Sequence, residues 1–284
     1  MKLGVAGIVS EWSQIDAAGA RRVREHGFRG LSVFFSRPME ADLGQVRELK
    51  NLLNDAGLDV AQANGAYEAL VNPNEGLRTA GVRGLEALCR AGRVLEAETV
   101  YVRPGGLNPR GHWYAHPDNH LPQTFDRLVD SLRQAAGTAA SEGMCLAIEG
   151  HVLSILDTAQ RVRDLLDAVG SPSLKFNVDA VNFVGTVRGV HDTRPILKEM
   201  FGLLGKDTVA AHMKDLALQD DLVVHIQEVV IGTGKLDQEY YLELLQEYCP
   251  NAYCLIEHLP EEKIPLARAG LMKAAQNAGI QLEV

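Results

Sequence analysis

Cys145-Leu-Ala-Ile-Glu149, Lys175-Phe-Asn-Val-Asp179, Val209-Ala-Ala-His212 and Cys254-Leu-Ile-Glu257 decide the fold. Each run is short, largely apolar and closed by a side chain that can ligate a metal. Short apolar runs without proline read as strands buried on both faces, the habit of parallel sheets. Set side by side in such a sheet, their tips bring three carboxylates and one imidazole to one edge. That donor set suits a hard divalent cation.

The four runs belong to a longer series. Eight strand-like segments are expected: Lys2 to Val9, Gly30 to Phe35, Leu58 to Asn64, Thr99 to Arg103, Cys145 to Glu149, Leu174 to Asp179, Thr208 to His212 and Ala252 to Glu257. Between them, Ala41 to Ala56, Leu77 to Glu96, Gln123 to Ser141 and Thr158 to Val169 carry apolar residues at helical spacing, as in Leu128, Leu132, Ala135 and Ala139. Gly27, Gly57 and Gly143 follow helical stretches and read as C-terminal caps. Eight alternating units in 284 residues predict one α/β domain over residues 1–284, a (β/α)8 TIM barrel. Active sites of this fold gather at the C-terminal ends of the strands, where the four candidate ligands fall. The Gly4-Val-Ala-Gly7 stretch does not spell the dinucleotide-binding fingerprint. Two segments exceed an ordinary connection: a His- and aromatic-rich loop at about 104–121, and an insertion at about 216–236 whose Val223-Val-His-Ile-Gln alternation suggests a small hairpin.

Composition narrows the function classes. A net charge of −9 argues against nucleic acid, whose phosphates attract a basic surface. No uncharged apolar span of about 18 residues is present to cross a membrane. The N-terminal segment fits a strand better than a signal peptide. Cys89, Cys145, Cys249 and Cys254 show no CxxC spacing, so free thiols and a cytoplasmic location are expected.

Glu149 in Ala-Ile-Glu-Gly-His, Asp179 in Asn-Val-Asp-Ala-Val-Asn, His212 in Ala-His-Met-Lys-Asp, Glu257 in Leu-Ile-Glu-His and the Ile231-Gly-Thr-Gly-Lys-Leu-Asp237 stretch resemble the signature of the xylose isomerase-like barrel superfamily, in its sugar isomerase/epimerase branch. The resemblance spans nearly the whole chain. It implies one divalent ion, Mn²⁺ first and Co²⁺ or Mg²⁺ otherwise, held by Glu149, Asp179, His212 and Glu257. It also implies that Glu149 and Glu257 flank a sugar carbon and exchange its proton, and that the chain forms a homodimer or homotetramer. An ion gripping a carbonyl and its neighbouring hydroxyl would acidify the adjacent C–H, leaving a carboxylate to act as general base. The expected activity is metal-dependent isomerisation or epimerisation of a ketose or related carbohydrate.

Substrate contacts are expected from Arg103, Trp113, His116, His151, Asn182 and Lys214. Arg103 ends the fourth strand and would suit an acid group. Lys214 faces either the cavity or Asp215. Asn177 and Asn182 bracket Asp179 and would orient it or its metal-bound water. Ketohexose 3-epimerases commonly carry a histidine soon after the strand-six aspartate and an arginine six residues after the strand-seven histidine; Asn182 and Leu218 stand here. A lyase, dehydratase or decarboxylase acting on a 3-oxo sugar or sugar acid therefore remains the alternative. The DNA-repair endonuclease branch is disfavoured, because its His-rich multi-zinc site and basic face are lacking.

Overall fold

The computed structural model describes residues 1–284. Its strands are β1 (Lys2–Val5), β2 (Gly30–Phe35), β3 (Asp59–Gly65), β4 (Thr99–Val102), β5 (Leu146–Ile148), β6 (Leu174–Asp179), β7 (Thr208–Met213), β8 (Asp215–Leu218), β9 (Ile226–Val229) and β10 (Tyr253–Ile256). Eight of them close a parallel barrel in the order β1-β10-β7-β6-β5-β4-β3-β2, while β8 and β9 form a separate antiparallel hairpin. The helices are α1 (Ala17–Glu25), α2 (Leu43–Asp55), α3 (Glu75–Leu95), α4 (Pro122–Glu142), α5 (Ala159–Val169), α6 (Val187–His191), α7 (Arg194–Leu204), α8 (Gln238–Tyr248) and α9 (Ile264–Asn277). The eight strand segments and the TIM barrel expected from the sequence are present, with ends differing by a few residues.

The first strand stops at Val5 rather than Val9, because Gly7 at φ +104° turns the chain away. The glycines past α1, α2 and α4 take φ of +80°, +68° and +66°, the left-handed geometry that ends a helix. Helix starts are held by short polar side chains: Asp16, Asn74 and Thr158 accept the backbone N–H of Gly19, Leu77 and Arg161.

Strand alternation positions the site. Leu146, Ile148, Phe176, Val178, Ala211, Met213, Cys254 and Ile256 belong to the core between barrel and helices. The residues between them face into the barrel. Small Ala147 and Ala210 precede Glu149 and His212 on that inner side, leaving space beneath the polar tips. Register aligns the tips, pairing Asp179 with His212 and Leu255 with His212 across neighbouring strands. Tyr253, Leu255 and Ala61 pack as a plug at the opposite end.

The insertion forms the small hairpin expected, with strands at Asp215–Leu218 and Ile226–Val229. Val223 and Val224 lie at the exposed tip, and the second hairpin strand begins only at Ile226. Two apolar residues in the turn mimicked strand alternation.

Candidate functional site

At the C-terminal mouth of the barrel, Glu149, Asp179 and His212 are buried to 2%, 0% and 2% exposure. Each offers a ligand atom within 4.8 Å of the others. Asp179 Oδ1 is buried without any partner, and Asp179 Oδ2 and His212 Nδ1 have only ion-pair contacts, to Lys214 at 2.6 Å and to Glu149 and Glu257 at 3.1 Å. Buried polar atoms short of hydrogen bonds are costly, so three converging at one point favour a ligand that satisfies them together. Oxygen donors with one imidazole match a divalent cation. Glu257 stands beside this triad, its Oε1 3.1 Å from His212 Nδ1.

Lys214 is the surprise. Two residues beyond His212 on the same face, its ammonium lies 2.6 Å from Asp179 Oδ2 and 2.9 Å from Glu257 Oε1. It does not pair with Asp215, whose carboxylate instead accepts backbone N–H bonds from Leu216, Gly232, Gly234 and Leu236 at 2.8–3.0 Å. The Ile231-Gly-Thr-Gly-Lys-Leu-Asp237 stretch is thus a loop wrapped around one carboxylate, which also ties down the base of the hairpin.

The electrostatics follow from burial among like charges. Burial pushes the Asp179 carboxyl up to about 7, against the attraction of Lys214. Burial would lower His212, but Glu257 and Glu149 outweigh it and raise the imidazole to about 10. Burial would likewise raise Glu257, yet His212 and Lys214 hold it well below the usual carboxylate range.

A polar relay orients the triad. Asn177 Nδ2 donates to Glu149 Oε2 at 3.1 Å, and Asn182 Nδ2 donates to Glu149 Oε1. Both asparagines therefore orient Glu149, a correction to the expectation that they serve Asp179; their amides reach across to β5 rather than back along β6. Gln62 donates to Asn177 Oδ1 at 3.1 Å, and its Oε1 lies 3.2 Å from His212 Nε2. With Nε2 carrying its proton toward Gln62, Nδ1 is left facing the triad. Gln62 and the inward Tyr101, 5.4 Å from the His212 ring, are missing from the residues expected by sequence. A glutamine between Ala61 and Ala63 in the middle of β3 was the available signal for the first.

Above the triad lies a cavity of about 250 Å³, lined by residues that include Trp113, His151, Asn182, Lys214, Glu228 and His258. Trp113 packs edge-on to His151 with ring centroids 5.8 Å apart. His151 Nδ1 accepts the Leu153 N–H, and burial lowers its basicity. Glu228 and His258 arrive from β9 and from just past β10; neither is among the expected residues. His258 takes φ +61°, rare outside glycine, and its Nδ1 lies 3.2 Å from Glu228 Oε2.

Two expected substrate contacts fall outside the cavity. The Arg103 guanidinium donates to Gly65 O at 2.6 Å and covers the Tyr67 ring at 4.7 Å. His116 caps a short turn, its Nδ1 accepting the Asp118 N–H, and lines a separate surface depression.

Comparison with known proteins settles the kinship. The family profile described as Xylose isomerase-like TIM barrel matches residues 20–275. The chain belongs to the xylose isomerase-like TIM barrel family. Solved structures of similar fold include the 3-keto-D-glucoside 4-epimerase YcjR from E. coli, in its apo form (TM-score 0.72, 18% identity, 97% of this chain and 99% of that one). Another is a Xylose isomerase-like TIM barrel protein from Mycobacterium smegmatis in complex with magnesium (TM-score 0.75, 15% identity, 97% and 95%). A third is the probable 3-DHS dehydratase AsbF from Bacillus anthracis (TM-score 0.71, 16% identity, 96% and 98%). Further matches carry the names of D-psicose and L-ribulose 3-epimerases. No curated protein sequence matches the chain. At these identities the xylose isomerase-like neighbours establish the fold alone. No helix is long and apolar enough to cross a membrane.

Proposed function

We propose that the chain is a divalent-metal-dependent sugar isomerase or epimerase acting on a ketose or related carbohydrate. The observation that carries this reading is the buried Glu149, Asp179 and His212 triad, with its polar atoms short of hydrogen bonds and a second glutamate, Glu257, beside it. Those four residues would hold the ion, with Mn²⁺ the first candidate and Mg²⁺ or Co²⁺ also compatible with the donors. A bound divalent ion supplies Lewis acidity that polarises a sugar carbonyl and acidifies the neighbouring C–H.

The chain's own groups do the rest. Asn177 and Asn182 fix both Glu149 oxygens, and Lys214 helps keep Glu257 ionised, the form that a general base requires. One glutamate removes the proton and the other returns it. Return to the opposite face of the same carbon is epimerisation, and return to the adjacent carbon is aldose–ketose isomerisation. Lys214, beside Glu257 Oε1, is placed to hydrogen-bond a substrate oxygen as negative charge develops there.

A lyase or dehydratase would use the same carboxylates, and the AsbF match keeps that reading in view. It ranks second because Arg103, the group suited to a substrate carboxylate, is held by Gly65 and Tyr67 away from the cavity. A homodimer or homotetramer remains part of the proposal, and sedimentation showing a monomer would remove it.

The test is solvent-deuterium incorporation followed by NMR, with metal-reconstituted protein and a panel of ketoses, 3-oxo sugars and their acids. Exchange at one carbon with a stereoisomeric or aldose–ketose product is expected, whereas loss of water or CO₂ would establish the lyase reading. Glu149→Gln and Glu257→Gln should each abolish exchange; retained turnover with metal bound would remove that glutamate from the mechanism.

A further inference from the structure

The cavity's cations are all engaged. Lys214 is shared between Asp179 and Glu257, His258 is bonded to Glu228, and Arg103 is turned to Gly65 and Tyr67. Against them stand four carboxylates, Glu149, Asp179, Glu257 and Glu228. A divalent ion together with the Lys214 ammonium leaves one negative charge over, and a protonated His258 only brings the balance to zero. At the hairpin end of the cavity His258 is already bonded to Glu228, so no cation is left there to receive an anion.

Glu228 is the carboxylate that the triad does not need. The hairpin carries it over the mouth from β9, and its one side-chain hydrogen bond is to His258. Its side chain keeps 29% exposure and only Oε2 meets His258, so the other carboxylate oxygen is open to a further hydrogen-bond donor. A sugar hydroxyl is such a donor, and a phosphate or carboxylate is not. The cavity of about 250 Å³ has room for one sugar ring beside Glu228.

We propose that Glu228 is a specificity residue that selects an uncharged, polyhydroxylated monosaccharide or cyclitol, by accepting a hydroxyl hydrogen bond at the substrate end abutting the hairpin and repelling phosphate or carboxylate there. This rests on the carbohydrate reading of the site and adds the charge class of the substrate and the residue that enforces it.

The test uses non-reacting ligands, so that recognition is separated from turnover. Magnesium-loaded full-length protein is titrated calorimetrically with D-glucitol, D-gluconate and D-glucitol 6-phosphate, for the wild type, Glu228→Gln and Glu228→Lys. The wild type should bind glucitol at least about tenfold more tightly than either anion. Glu228→Gln should narrow that ratio and Glu228→Lys should close or invert it, while titration with Mg²⁺ alone stays within about twofold of wild type and thermal unfolding shows folded protein. Anions bound as tightly as glucitol by the wild type, no binding of any of the three, or a ratio unmoved by Glu228→Lys would each overturn the proposal. Absence of deuterium exchange on every ketose, with the glucitol preference intact, would remove the catalytic reading and leave the recognition role standing.

Discussion

Gln62→Leu isolates the orienting relay from the groups it serves. Gln62 is 1% exposed, and its amide joins His212 Nε2 at 3.2 Å to Asn177 Oδ1 at 3.1 Å, with Asn177 in turn 3.1 Å from Glu149 Oε2. Leucine has a similar volume, so the change removes hydrogen bonds without opening a large void. It strands one buried donor and one buried acceptor at about 1–3 kcal/mol each, offset in part by the apolar surface gained, for a net loss of roughly 2–4 kcal/mol. At the scale for domains of this size, the metal-free protein should melt roughly 4–10 °C lower. The imidazole loses the partner that fixes its tautomer, and Glu149 keeps only the Asn182 bond as a firm anchor. Removal of such outer partners typically weakens metal binding by about 10–100-fold, or ~1.4–2.8 kcal/mol. Calorimetric titration with Mn²⁺ or Mg²⁺ measures this directly. An affinity within twofold of wild type would show that Glu149 and His212 hold their positions without the relay, and the account of Gln62 would fail.

Three more outcomes are expected. Binding a divalent ion must displace the proton from His212, which the glutamates raise to about 10, and below about 7 also from Asp179; affinity should therefore climb with pH up to about 10 with a steeper limb below 7, seen as buffer-dependent heats in calorimetry. Asp207 is lowered because hydrogen bonds from Lys175 and Arg163 at 2.6 Å outweigh its burial, so its contribution is present above the unfolded value near 3.8 and lost as pH falls through the lower folded value. Asp207→Asn should cost ~1–2 kcal/mol at pH 7 and flatten the acid limb of a denaturation series; an unchanged limb would contradict this. In Gly234→Ala the new Cβ would collide with Asp215 Oδ1 and crowd Leu216 O, so the loop must open; thermal unfolding should show a loss of ~2 kcal/mol or more, and an unchanged melting temperature would refute the clash.

Much of the barrel was legible because parallel strands write a plain signal. Phe176 and Val178 face helices while Asn177 and Asp179 face inward, so a run that is apolar on one side and polar at its tip declares both the sheet and its active end. What stayed illegible depends on distance across the barrel. Whether Asn182 reaches back to Asp179 or over to Glu149 is set by the packing of β5 against β6, which no local spacing encodes. Arg103 had the right place on its strand, but Tyr67 and the Gly65 carbonyl, from another strand, captured it. Lys214, two residues past His212, was expected to face the cavity and does; what spacing could not give is its pairing across the barrel with Asp179 and Glu257. Glu228 was hidden because a hairpin can be expected from alternation, but its placement over the cavity beside His258 depends on a contact between distant segments.

The Asp215 carboxylate gives the hairpin an unusual independence. Four backbone bonds to one side chain clamp its base, while residues 219–225 project away from the barrel and Leu222 is fully exposed. The tip can be lengthened, shortened or exchanged without disturbing Lys214 one residue before the clamp. The barrel mouth and the hairpin are therefore separable parts, one carrying the candidate ion ligands and the other Glu228. Grafting hairpins onto this base, with residues 215 and 230–237 kept, would exchange the wall of the cavity and leave Glu149 and Glu257 in place.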